Sequence, residues 1–358
     1  MFKKIISVET SCDDTSVAIV DNYGFVIDQL TAGQDLEHAL YGGVVPEIAS
    51  RNHSIALLPL IDSILTKNNF TFADIDGFAV TNRPGLIGSL IVGLMTVKAL
   101  SESLKKPYIA VNHLEGHLLA PFLTDKNHSL EIQHEQFNYP YVALAVSGGH
   151  SSLYWVKNFS EYTIIGTTKD DAAGEAFDKF AKMLGLGYPG GVQVDHLAKL
   201  GNAKKYNFPR SLILEKNLMM SFSGLKSSAH RLLQSLTPEM IDQNKNDLCA
   251  SFQEAVVDVL IHKLIYAAKI NNTKKIVITG GVSANSRLRE RCEDLKKQGY
   301  SVVIPPLRYC TDNAAMIGYV GIQYLNHGVY SEHKQGPVPS SLETDFKINL
   351  YQEETVKK

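Results

Sequence analysis

Residues 3–30, KKIISVETSCDDTSVAIVDNYGFVIDQL, carry apolar runs at 4–8, 16–20 and 25–30 with polar turns between them. Short apolar runs bounded by turn formers predict a three-strand meander. After it, residues 46–65, PEIASRNHSIALLPLIDSIL, have a proline at the first helical position and a helical apolar period. DGFAV (76–80) then predicts a strand, TNRPG (81–85) a loop, and LIGSLIVGLMTVKAL (86–100) a helix. PYIAV (107–111) is the next strand, and NHLEGHLLA (112–120) the helix after it. The same order recurs from residue 141. YVALAVSGGHSSLYWVKNFSEYTIIGTT (141–168) is a second meander, with helices expected over 171–201, 222–236 and 245–270. KKIVIT, GGVSA and NSRLRERCEDLKK (274–297) predict strand, loop and helix; SVVIPPL (301–307) predicts a strand, and a last helix starts at TDNAAMIGYVGIQYL (311–325). A repeated plan of this kind predicts a duplicated α/β fold of two lobes with a central cleft.

The expected division is an N-terminal lobe over 1–124, completed by a C-terminal helix at 312–330, and a C-terminal lobe over 140–311 with a helical insertion at 171–236. The polar, aperiodic stretch at 125–139 reads as a linker, and 331–358 as a tail. A chain of 358 residues, 44% hydrophobic, has enough apolar surface for two cores. Its net charge of -2 argues against unaided nucleic-acid binding, so a nucleic-acid partner would meet a local patch or be held with help. Four scattered cysteines with no C-x-x-C fit a reducing compartment. Glu9 interrupts any signal-like run, and PGLIGSLIVGLMTV (84–97) reads as too short and glycine-rich to span a bilayer. The expectation is a cytoplasmic protein.

NHLEGH (112–117) places two histidines four residues apart, hence on one helical face. His113 and His117 can share a metal ion; the alternative is that one caps the helix and the other packs on its surface. In a zinc protease of the H-E-x-x-H type, a glutamate follows the first histidine directly. Here that position is Leu114, and Glu115 is turned about 200° from His113, away from a shared ion. Two ligands leave a metal under-coordinated. In the repeat, CTDNAAMIG (310–318) is the counterpart of NHLEGH, so Asp312 is expected to face the histidines across the cleft and complete a two-histidine, one-carboxylate set with open positions. The alternative for Asp312 is a helix N-cap.

Glycine-rich turns mark a second kind of site. VSGGHSS (146–152) brings Val146, Ser147, Gly148 and Gly149 into a tight turn whose amides can approach a phosphate or acyl group, or form an ordinary hairpin. ETSCDDTS (9–16) holds the matching turn; its carboxylates Glu9, Asp13 and Asp14 read either as metal-facing groups or as turn formers. GGVSAN (280–285) leads from a strand into a helix N-terminus. Asp178, the Gly190–Gly191 pair and Asp195 lie on helical stretches where carboxylates suit ribose hydroxyls, against the alternative of a solvated acidic face. The small residues Gly85, Gly88, Ser89 and Gly93 read as close packing of the helix they open, against the alternative of a ligand-facing helix N-terminus. No Walker A sequence is present, which excludes a P-loop NTPase.

ETSCDDTS, NHLEGH, VSGGHS, DDAAGEAFDKFAKMLGLGYPGG, SFSGLK, ITGGVSANSRLR and CTDNAAMIG together resemble the tRNA N6-adenosine threonylcarbamoyltransferase family, once regarded as glycoprotein endopeptidases. The likeness runs from residue 5 to about 320. It implies the two-lobed fold shared by actin, sugar kinases and heat-shock ATPases. It also implies transfer of a threonylcarbamoyl group from threonylcarbamoyl-AMP to N6 of the adenine beside the anticodon, in tRNAs reading codons that begin with A, with release of AMP. Under the resemblance the metal ligands are His113, His117 and Asp312, and the ion is Fe2+ with Zn2+ as rival. The substrate-binding positions are Val146, Ser147, Gly148, Gly149, Asp178, Gly191, Asp195 and Asn285. The implied partners are tRNA, a paralogous inactive subunit of the same fold, and a small P-loop ATPase. No general base is assigned. Arg83 stands where many members read glycine; contact with ligand or tRNA and a neutral role both stay open. A metallopeptidase, a non-catalytic nucleotide-responsive module and a sugar kinase are the competing readings.

Overall fold

In the computed structural model, residues 2–41, 43–126, 137–334, 336 and 337 are described. The chain forms two compact units: Met1–Gln136 with Phe159–Glu161 and Asp312–Lys358, and Phe137–Asn158 with Tyr162–Thr311. Most of the expected linker (127–136) and of the expected tail (335 and 338–358) lies outside the described residues.

The first unit opens with the expected meander, β1 (Lys4–Glu9), β2 (Thr15–Asp21) and β3 (Val26–Ala32). A short helix that the sequence did not signal, α1 (Asp35–Ala39), precedes α2 (Pro46–Lys67), which does start at its proline. Then come β4 (Gly77–Arg83), α3 (Ile87–Leu104), β5 (Tyr108–Asn112) and α4 (His113–Leu119). The sheet order is β3-β2-β1-β4-β5, with the meander antiparallel and β1, β4 and β5 parallel. Parallel strands must be covered on both faces, and β1, β2, β4 and β5 are accordingly buried almost throughout. Ile6, Val8, Val17, Ile19, Phe78 and Val80 face α2 and α3, where Leu57, Ile61, Leu94 and Val97 complete one core.

α3 continues beyond the stretch set aside above as too short for a bilayer. Its 18 residues have a mean hydropathy of 1.4, enough by length and composition to cross a membrane. In this fold it packs on β4 and α2. Its small residues serve close approach: a Cβ at Gly85 would lie 2.6 Å from the Ser11 carbonyl oxygen, and one at Gly93 would collide with the Thr10 hydroxyl.

The second unit repeats the plan. β6 (Tyr141–Val146), β7 (Ser151–Asn158) and β8 (Glu161–Thr167) are followed by α5 (Ala173–Met183), α6 (Gly190–Ala198), α7 (Ser223–Gln234), α8 (Pro238–Gln243) and the long α9 (Lys245–Ile270). β9 (Lys275–Thr279), α10 (Ser286–Lys297) and β10 (Ser301–Val303) close it. β10 is shorter than the SVVIPPL pattern suggested, because Pro305 and Pro306 have no N–H to give the ladder. The sheet order β10-β9-β6-β7-β8 matches the first unit strand for strand, and β6 pairs antiparallel with β7 and parallel with β9. Val142, Leu144, Leu153, Phe177, Phe180 and Phe252 centre its core, with the Phe180 and Phe252 rings stacked 3.9 Å apart.

The chain then returns to the first unit as α11 (Ala314–Asn326). It covers the sheet face opposite α2 and α3. Ser7 Oγ donates to the Ala314 carbonyl at 2.6 Å, and the Ala314 and Ala315 amides donate to Ser16 Oγ and Gln29 Oε1, both at 3.1 Å. Glycines allow the approach: a Cβ at Gly318 would lie 2.7 Å from both Ser7 Oγ and Val20 Cγ2.

Candidate metal centre

β5 ends where Asn112 turns its side chain back to accept the Leu114 amide at 2.8 Å, capping α4. The helix therefore begins at His113, and one turn later His117 lies on the same face. Their rings meet edge to face, 4.7 Å between centroids. α11 is capped by Asn313, whose side chain accepts the Met316 amide at 3.0 Å. The capping role considered for Asp312 is thus filled by its neighbour. Asp312 Oδ1 lies 3.2 Å from Nε2 of His113 and 3.2 Å from Nε2 of His117. One ligand atom from each residue falls within 4.8 Å of the others.

All three residues belong to the first unit. The expectation that Asp312 faces the histidines across a cleft is corrected: it stands on their own side. The cause is the docking of α11 onto β1 and β2, which brings the residue before it to α4.

A fourth group completes the arrangement. Glu9, at the end of β1 and fully buried, accepts from the Ser11 amide at 2.6 Å, from the Thr81 hydroxyl and, at 3.0 Å, from His113 Nδ1. Burial disfavours its charge, but His113 outweighs this and holds Glu9 below the usual carboxylate range. Asp312 is held well below that range in the same way, by His113 and His117 against the cost of burial. Burial likewise opposes a charged His113, yet Asp312 and Glu9 prevail and raise it well above an ordinary histidine. His117, for which burial is the larger effect, is lowered.

An ionised Glu9 fixes a proton of His113 on Nδ1 and leaves Nε2, which faces Asp312 at 3.2 Å, as the nitrogen open to a metal once its own proton is displaced. This is the outer carboxylate that metal-binding histidines commonly have. Two imidazole nitrogens and one carboxylate oxygen converging on one point fit a divalent transition metal with open positions. His117 Nδ1 is buried without a hydrogen-bond partner. Glu115 is buried and accepts from the Tyr324 hydroxyl at 2.7 Å, committed to α11 rather than to the histidines.

The eight positions expected to bind substrate lie in the second unit. Val146 ends β6, buried under Gly280, whose φ of +87° lets backbone meet backbone. Ser147 closes the turn, its amide donating to the His150 carbonyl at 2.8 Å and its hydroxyl accepting the His150 amide at 3.1 Å. Gly148 and Gly149 are exposed, with open space where a Cβ would stand. Asp178 Oδ1 accepts from the Gly190 and Gly191 amides at 2.8 and 3.3 Å, so it binds the N-terminus of α6; burial raises its pKa. Asp195 Oδ1 accepts from the amide and hydroxyl of Ser286, while Asn285 caps α10 and donates to Gln253. The structure thus gathers Asp195 and Asn285 at one helix N-terminus and Asp178 and Gly191 at another. Sequence reasoning left Glu9 between two roles; its position at the end of a parallel strand beside β4 was the available signal.

A family model described as tRNA N6-adenosine threonylcarbamoyltransferase (TsaD) matches residues 25–319. The chain is 59% identical to the tRNA N6-adenosine threonylcarbamoyltransferase of Bdellovibrio bacteriovorus over 348 residues, covering 97% of this chain and 100% of that one. It is 47% identical to the protein of the same name from Thermodesulfovibrio yellowstonii, with coverages of 92% and 96%. Among solved structures, full-length HypF in its phosphate- and nucleotide-bound form superposes with a TM-score of 0.59 at 13% identity, over 92% of this chain and 57% of HypF. Component A of the Acidaminococcus fermentans (R)-2-hydroxyglutaryl-CoA dehydratase gives 0.52 at 15% identity, over 90% and 99%. Those two likenesses establish the actin-like α/β fold, and the sequence matches establish the family: this chain belongs to the tRNA N6-adenosine threonylcarbamoyltransferases.

Proposed function

We propose that this protein transfers the threonylcarbamoyl group of threonylcarbamoyl-AMP to N6 of the adenine beside the anticodon, in tRNAs that read codons beginning with A. Family membership supports the reaction, and the convergence of His113, His117 and Asp312 is the observation that carries it to particular residues. The N6–carbonyl bond forms, the bond from that carbonyl to the phosphate oxygen breaks, and AMP leaves with the proton that N6 gives up.

His113, His117 and Asp312 would hold one divalent ion, Fe2+ in our reading, with Zn2+ as rival. Bound there, such an ion supplies Lewis-acid polarisation of carbonyl or phosphate oxygens. Glu9 keeps the His113 proton on Nδ1. None of these groups is assigned as a general base, since Glu9, His113 and Asp312 are engaged with one another. Val146 to Gly149, Asp178, Gly191, Asp195 and Asn285 would bind the adenylate, with Gly148 and Gly149 offering unobstructed backbone. The reaction takes place in the cytoplasm. A paralogous inactive subunit and a small P-loop ATPase assist, which suits a net charge of -2 in a protein that must meet tRNA.

The test is mass spectrometry of tRNA nucleosides from cells depleted of the protein and rescued with wild type or with His113→Ala/His117→Ala. Threonylcarbamoyladenosine should vanish on depletion and return only with wild type. Unchanged nucleosides, in cells holding no second copy of the enzyme, would refute the proposal. Elemental analysis of the anaerobically purified protein distinguishes iron from zinc.

A further inference from the structure

The turn joining β4 to α3, Arg83-Pro84-Gly85, is tied on both flanks to the metal-side cluster. Arg83 ends β4 in register with Asn112, the residue before His113. On the other flank, Gly85 abuts Ser11 and the Leu86 amide donates to the Ser11 carbonyl at 2.8 Å; Ser11 Oγ in turn lies 3.2 Å from His113 Nδ1.

Arg83 is only half-buried, yet its Nε is fully enclosed and has no hydrogen-bond partner. No carboxylate among the described residues forms an ion pair with it. Three other half-buried arginines form ion pairs, Arg210 with Asp258, Arg287 with Glu254, and Arg291 with both, while Arg289 donates to the Pro305 carbonyl and leaves its own Nε unpartnered. Beside Arg83, Asn82 is completely buried with both side-chain polar atoms unpartnered, and so is Nδ2 of Asn112. Buried polar atoms without partners are rare and call for an explanation. The register shifts between Thr81 and Arg83, so Asn82 sits in a bulge, a feature that re-aims side chains. α3 begins just beyond, with no side-chain cap and no acidic residue in its first turn, which leaves its positive end uncompensated. Orphaned donors, an unpaired guanidinium and a helix N-terminus within one turn suit an oxyanion, and the planar fork of arginine suits a carboxylate best.

We propose that Arg83 is a specificity-determining residue that receives the free carboxylate of the threonyl part of the transferred group, assisted by Asn82 and Asn112. The assignment rests on the transferase reading. That carboxylate is a few bonds from the reacting carbonyl, and Arg83 is one register step from a metal-side histidine.

The experiment compares transfer kinetics from threonylcarbamoyl-AMP and from its carboxamide counterpart, for wild type, Arg83→Gln and Arg83→Lys, with thermal melting as a folding control. Wild type should prefer the carboxylate donor by about 10- to 100-fold in KM. Arg83→Gln should abolish most of that preference by raising KM for the carboxylate donor, with kcat changed far less, and Arg83→Lys should restore part of it. If Arg83→Gln keeps the wild-type preference, the proposal is wrong. It is equally wrong if only KM for tRNA and its salt dependence move, since the oxyanion is then a tRNA phosphate. Wild type that transfers from neither donor refutes the transferase reading and this inference with it, a result distinct from an unaltered preference.

Discussion

Replacing Glu9 by glutamine tests the metal centre through a residue that is not a ligand. Glu9 accepts three hydrogen bonds in full burial, from the Ser11 amide, the Thr81 hydroxyl and His113 Nδ1. Glutamine has one accepting oxygen. The Ser11 amide can only donate, so that oxygen stays with it. The new NH2 group then faces Thr81 and His113. The Thr81 hydroxyl can rotate to accept, but His113 Nδ1 can accept only by losing its proton. That moves the ring proton to Nε2, the atom that must carry the lone pair toward a metal. Loss of such an outer carboxylate costs about 10- to 100-fold in metal affinity, about 1.4–2.8 kcal/mol. The fold should be affected much less, because shape and most hydrogen bonds survive. Competition with a fluorescent chelator measures the affinity, and melting in the presence of chelator isolates the fold. Affinity within about twofold of wild type, in a folded Glu9→Gln protein, would show that Glu9 does not set the His113 tautomer.

The same cluster predicts that metal uptake expels a proton. Asp312 and Glu9 hold metal-free His113 well above an ordinary histidine pKa despite its burial, so the ion must displace its Nε2 proton. Below that raised pKa the apparent affinity should climb about tenfold per pH unit, and calorimetry in buffers of different ionisation enthalpy should count about one proton released. Affinity independent of pH between about 6 and 8 would contradict this. On α11, Gly318→Val should destabilise the protein by about 1–3 kcal/mol or more, since a Cβ there lies 2.7 Å from Ser7 Oγ and Val20 Cγ2. A melting temperature equal to wild type would show that α11 can shift without loss.

The repeated plan was legible because each apolar run has the period of its element, and both five-stranded sheets follow from it. The histidine pair was legible because a helical spacing of four fixes a shared face. Asp312 was recognised as a partner, but its side was misassigned. The expected division gave the 312–330 helix to the N-terminal lobe, yet Asp312 at its start was set across from the histidines of that same lobe; long-range contacts such as Ser7 with Ala314 are what bring it beside them. The neighbouring Asp312 and Asn313 are both competent caps, so periodicity could not decide between them. Asp178 and Asp195 illustrate the converse. Read as ribose-facing carboxylates, each has an oxygen occupied by the N-terminal groups of another helix, partners that lie 12 to 91 residues away.

α11 gives the first unit an order of assembly. Residues 1–136 contribute the whole of the first sheet, α4, His113 and His117, yet Asp312 and the helix covering that sheet's second face come from beyond residue 311. During synthesis, which proceeds from the N-terminus, the second unit is made entirely within that interval. A nascent chain thus exposes an apolar sheet face and a histidine pair without Asp312 until α11 emerges. The finished cluster of His113, His117 and Asp312 is a record that both units have been made, and a chain cut short before Asp312 lacks it.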